Sequence, residues 1–100
     1  MLVTNQQETA GSRVIVSVLG EDRVGIIAAV ANILADNNIN ILDISQTTMQ
    51  EFFTMILIAD MEKSKIDLAA LKVQLGQLGE KLGLKIDAQH EAAFRYMHRL

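Results

Sequence analysis

A chain of 100 residues, half of them apolar, is long enough for one folded domain with a modest core and too apolar to be disordered. Nine basic against twelve acidic residues leave it slightly acidic, which argues against a general nucleic-acid surface. The chain holds no cysteine, so disulfides, zinc thiolates and a thiol nucleophile are excluded.

Residues 1–12, "MLVTNQQETAGS", have no periodic apolar positions and read as an N-terminal arm. The stretch lacks the basic and apolar regions of a signal peptide, and no apolar run approaches the length of a membrane span. With the absence of cysteine, this sets the expectation of a cytoplasmic protein. "RVIVSVL" (13–19) reads as a strand, with Val14, Val16 and Val18 on one face and Ile15, Ser17 and Leu19 on the other. A helix over 22–37 follows, with Ile26, Ile27, Val30, Ile33 and Leu34 in its apolar stripe. Gly20 is expected to serve the turn, Asp22 to cap the helix, and "DNN" at 36–38 to stop it, because asparagine tolerates the left-handed conformation.

"INILDISQTTM" (39–49) alternates as a strand with Leu42 and Ile44 on a buried face and Asp43, Ser45 and Thr47 on a wet one. "QE" turns the chain into "FFTMILIADM" (52–61), a strand apolar on both faces and therefore central in its sheet. Leu68, Leu71, Leu75, Leu78 and Leu82 step by three and four residues, which predicts a second helix over 65–82 ended by Gly83. "LKIDAQH" (84–90) is a fourth strand, and "EAAFRYMHRL" forms a short terminal helix.

The order β-α-β-β-α-β predicts an α+β ferredoxin-like sandwich: a four-stranded antiparallel sheet with two helices on one face, plus a short C-terminal helix. The first and third strands are central and the second and fourth are edges. The organisation is an arm at 1–12, one domain at 13–90 and a helical tail at 91–100.

"VLGEDRVGII", followed after a helix by "NNINILDISQ", resembles the ACT domain, a small-molecule regulatory module. The matching elements are Asp22-Arg23-Val24-Gly25 opening the first helix and Asn40-Ile41 opening the second strand, at the spacing of that family. The resemblance covers about residues 13–89, and the "QTTMQEFFTMILIADM" hairpin and the tail are similar to the stand-alone bacterial and archaeal ACT proteins. It implies a non-enzymatic regulatory module that binds a small metabolite, an amino acid, between two domains near the loop from first strand to first helix. Ligand-binding residues are then Asp22, Arg23, Val24, Gly25, Ile26, Asn40 and Ile41.

The residues support the same place. The first turn of a helix offers unpaired amides and a positive dipole end, a natural seat for a carboxylate. Gly25 allows close approach, Asn40 offers two donors and an acceptor, and Asp22 is a partner for an ammonium group. Each has a plainer reading: Asp22 as cap, Arg23 as a solvated surface residue, Gly25 for packing, Asn40 for strand-end backbone groups. The histidine that some serine-binding relatives carry at the position of Gly20 is absent, so serine specificity does not carry over; the proline that many carry at the position of Val24 is absent too, which only loosens the turn.

No cofactor or metal is expected, since His90 and His98 lack the spacing of a helical metal pair. Asp43, Asp60 and Glu62 are scattered, so no acid–base constellation is visible and no enzyme is expected. The first strand carries no aromatic residue for an RNA-stacking platform. The terminal helix is too short and too weakly basic for a membrane. An apolar open sheet face containing Ile15, Leu19, Met49 and one of Phe52 or Phe53, beside an edge strand without proline or lysine, predicts a homodimer. An unidentified regulated protein is the further partner. The competing reading is an interaction module that dimerises or docks without a ligand.

Overall fold

The computed structural model describes residues 12–97. Strands β1 (Arg13–Glu21), β2 (Asn40–Met49), β3 (Phe52–Asp60) and β4 (Lys85–His90) form one antiparallel sheet in the order β2-β3-β1-β4. Helices α1 (Ile26–Asp36) and α2 (Leu68–Leu82) join them, and α3 (Glu91–Met97) follows β4. This is the expected ferredoxin-like architecture, with β1 and β3 central.

Register explains the core. Val14, Val16 and Val18 pair with Ala59, Leu57 and Met55, so these residues share one face. All six are buried, together with Ile26, Val30 and Leu34 of α1 and Leu71 and Leu75 of α2. The leucine ladder of α2 therefore buries its centre, while Leu68, Leu78 and Leu82 pack partly buried at the margins.

Helix ends are set by specific groups. Asp67 caps α2 by accepting the Ala70 amide at 2.9 Å, and Gly83 ends it at φ 71°. Asn37 ends α1, and its Nδ2 donates to the Ile33 carbonyl at 2.8 Å and to Gln74 Oε1 at 2.9 Å, which ties α1 to α2. Asn38 takes the left-handed conformation expected of "DNN", with φ 61°.

Four expectations are corrected. First, β1 runs on through Gly20 and Glu21 because β3 supplies ladder partners, Phe53 and Phe52, beyond the expected turn. Gly20 is a packing position rather than a turn: a Cβ there would stand 2.5 Å from Leu84 Cδ2. Second, α1 begins at Ile26, not at residue 22, and Asp22 does not cap it. Third, Ile27 is 37% exposed rather than in the core. Fourth, β2 does not bury a Leu42–Ile44 face, since these side chains are 41% and 39% exposed. A bulge between Ile41 and Asp43 leaves Leu42 outside the alternation, so Ile41 rather than Leu42 shares the helix side with Ile44. Asp43, Ser45 and Thr47 do share the opposite face, as expected.

Of the expected arm, residues 1–11 lie outside the described residues, as does 98–100 of the tail. Ser12 is held on the sheet, its Oγ donating to Asp60 Oδ1 at 2.6 Å and its carbonyl accepting the Met61 amide at 3.0 Å. At the other end, α3 contacts β1 and β4, and Glu91 pairs with Arg13 at 3.6 Å and with Arg95 at 3.3 Å.

Candidate functional site

The junction from β1 to α1 carries the candidate site. Gly25 is the N-cap of α1 with φ 94° and ψ 0°, and no side chain caps the helix. The Gly25 carbonyl accepts the Ala29 amide at 2.9 Å. Ile26, Ile27 and Ala28 thus hold amides that a helix cannot satisfy internally. The glycine is required by the backbone itself, because φ 94° is a conformation side-chain-bearing residues rarely adopt.

A cleft of about 300 Å³ opens beside these amides, at the lower end of the range for small-molecule sites. Asp22, Arg23, Gly25 and Ile26 line it, with Gln46 and Thr48 of β2 opposite and buried Phe53 also in its wall. The Asp22 amide donates to the Glu51 carbonyl at 2.9 Å, which fastens the junction to the β2–β3 turn. Arg23 is less available than its sequence position implies. Its Nη1 donates to the Leu82 carbonyl at 2.9 Å, satisfying a group at the carboxyl end of α2.

Of the seven expected residues, Asp22, Arg23, Gly25 and Ile26 are therefore brought together. Val24 is fully exposed on the turn and does not line the cleft. Asn40 and Ile41 lie at the opposite end of α1. That helix has 11 residues, which spans about 16 Å. Ile41 packs against the core, and Asn40 lines a second cleft of about 550 Å³ with Asn38, Asp60, Glu62 and Lys63. Within that cleft Asp60 Oδ1 already accepts the Ser12 hydroxyl and the Glu62 amide.

Sequence reasoning missed Gln46, Thr48 and Phe53. A signal was present: once Asp43, Ser45 and Thr47 form one face, Gln46 and Thr48 are polar residues on the helix side of the strand. Among the described residues no group of three or more acidic or histidine side chains could hold a metal ion, and no helix is long and apolar enough to cross a membrane.

Residues 12–89 match the ACT domain family. The chain belongs to that family. A UPF0237 protein of Methanocaldococcus jannaschii is 53% identical over 89 residues, covering 89% of this chain and 99% of that one. An ACT domain protein from Streptococcus pneumoniae has a similar structure, with a TM-score of 0.72 and 36% identity over 82% of this chain and 92% of the other. A formyltetrahydrofolate deformylase from Pseudomonas syringae shares the fold at a TM-score of 0.73 and 22% identity, over 88% of this chain but only 30% of the deformylase. The likeness to that enzyme is thus one of fold and is confined to less than a third of its chain. ACT domains generally bind small molecules such as amino acids and often dimerise.

Proposed function

We propose that this ACT domain is a regulatory module that binds an amino acid, with its carboxylate at the amino end of α1. The observation that carries the reading is the uncapped first turn of α1 opening onto a cleft with Asp22 on its rim. The amides and the positive helix end favour an anion. The Asp22 carboxylate is an acceptor for an ammonium group, and Gln46 and Thr48 offer both donors and acceptors to whatever the ligand carries beyond them.

The site is shared by two copies paired along β2. This strand is an edge, is exposed over most of its length, and bears exposed Leu42 and Ile44. An antiparallel pairing of β2 with its two-fold mate lays the Asn40 end of one copy beside the Met49 end of the other. Asn40 then reaches the partner's junction, which a single copy does not permit.

A thermal-shift screen against the twenty amino acids tests the reading. One or a few ligands are expected to raise the melting temperature in a concentration-dependent way, by RT ln(1 + [L]/Kd) in stability. Silence across all twenty at millimolar concentration would overturn it and leave an interaction module without a ligand.

A further inference from the structure

We infer that the sheet face opposite α1 and α2 carries, at its Leu19 end, a docking surface for a protein segment with apolar side chains flanked by lysine or arginine. Met49 lies directly opposite Phe52 in the β2–β3 ladder, and Leu19 pairs with Thr54, one diagonal step from Phe52. Diagonal neighbours on one sheet face lie within reach of aromatic and long side chains. Leu19, Met49 and Phe52 are 50%, 69% and 54% exposed, so they form one patch rather than scattered apolar residues. At the other end of the same face Ile15 is buried and α3 contacts β1 and β4.

The charges around the patch choose its occupant. Glu21 is opposite Phe52, Glu51 is exposed in the adjoining turn, and Asp87 is opposite Ser17, one step along the face from Leu19. Lys85, opposite Leu19, is the cation among them. Arg13 lies on this face as well, but at its far end and paired with Glu91. Apolar anchors within an acidic rim fit a basic-flanked apolar segment by charge complementarity. They fit a second copy poorly, because the mate would bring the same acidic excess against this one.

The surface stands on the back of the candidate cleft. Thr48 and Phe53 line the cleft, while their chain neighbours Met49 and Phe52 point to the open face. The inference does not depend on a ligand in that cleft, and neither does its test.

The probe is a short amphipathic peptide with leucine and phenylalanine on one side and lysines flanking them, paired with the same peptide carrying glutamates for lysines. Binding is read by fluorescence anisotropy and by amide chemical shifts of the full chain. The lysine peptide is expected to bind at least about tenfold more tightly than the glutamate peptide, and to shift the amides around Leu19, Met49 and Phe52. Phe52→Ser and Leu19→Ser should each weaken it by about tenfold, with melting temperatures showing that both variants fold. Glu21→Lys combined with Asp87→Lys should erase the preference. Equal affinity for both peptides, retained binding in Phe52→Ser, or shifts confined to other surfaces would overturn the inference. So would sedimentation showing that Phe52→Ser dissociates a wild-type oligomer, since a second copy would then occupy the face.

Discussion

Replacing Gly25 by alanine separates two accounts of the junction by the sign of its effect. If Gly25 lay inside the first turn of the helix, alanine would be the better helix former and would stabilise the protein by about 1 kcal/mol. The structure instead places Gly25 before the helix at φ 94°. A Cβ built there meets no atom within 4 Å, so steric clash contributes nothing and the backbone conformation alone decides. For an L-residue that conformation costs about 1–2 kcal/mol. At about 4–8 °C per kcal/mol for a domain of this size, the melting temperature should fall by roughly 5–15 °C. Urea unfolding is the sharper assay: the midpoint should drop while the m-value stays at its wild-type value, since the surface exposed on unfolding does not change. Gly25→Asn should lose less than Gly25→Ala, because asparagine tolerates positive φ. An alanine variant at or above the wild-type midpoint would refute the N-cap geometry.

The other glycines and the exposed valine give further checks by the same unfolding measurement. Gly76 sits within α2 with open space where a Cβ would go, so Gly76→Ala should stabilise by about 1 kcal/mol, and a loss would contradict its helical placement. Gly79 lies in the same helix, but a Cβ there would stand 2.6 Å from the Leu84 carbonyl oxygen, so Gly79→Ala should destabilise by about 1–3 kcal/mol. Val24 is fully exposed and precedes a residue with the dihedrals of the third position of a type II turn, where proline favours the second. Val24→Pro should therefore stabilise by about 0.4–1 kcal/mol, and a drop in midpoint would reject that turn.

The fold was legible because its periodicities are strong and local. Three valines alternating in β1, a strand apolar on both sides in β3 and leucines at helical spacing in α2 each have one good solution. What failed locally was decided by partners distant in sequence. β1 passes Gly20 because Phe52 and Phe53 extend its ladder, and that pushes the helix start four residues beyond where Asp22 signals a cap. Asp22 is a capping residue type, but its amide is bonded to Glu51 and the helix entry falls to Gly25. In β2 one bulged residue, Leu42, changes which apolar residue joins Ile44 on the helix side, and alternation carries no mark of a bulge. The candidate site was half legible. Its loop residues sit in a recognisable motif, whereas Gln46, Thr48 and Phe53 reach it only through the folding of the β2–β3 hairpin across the sheet.

The motif itself poses the last question, because its two halves are consecutive in chain order and far apart in space. Asp22–Gly25 stands at one end of α1 and Asn40 at the other, and no single amino acid spans a helix of 11 residues. If Asn40 acts on the ligand, it must act on the partner's, and mixing two defective variants can reveal this. Asp22→Asn damages the junction and Asn40→Ala the reaching side chain, so each homodimer is defective at both of its sites. In a mixed dimer with two-fold symmetry, one site collects both defects and the other collects neither. Random exchange makes half of the dimers mixed, so about one quarter of wild-type ligand capacity should return on mixing, as read by calorimetric titration with the amino acid found in the screen. Sites contained within single copies would show no recovery at any mixing ratio. That result would return Asn40 to a structural role at the start of β2 while leaving the α1 cleft in place.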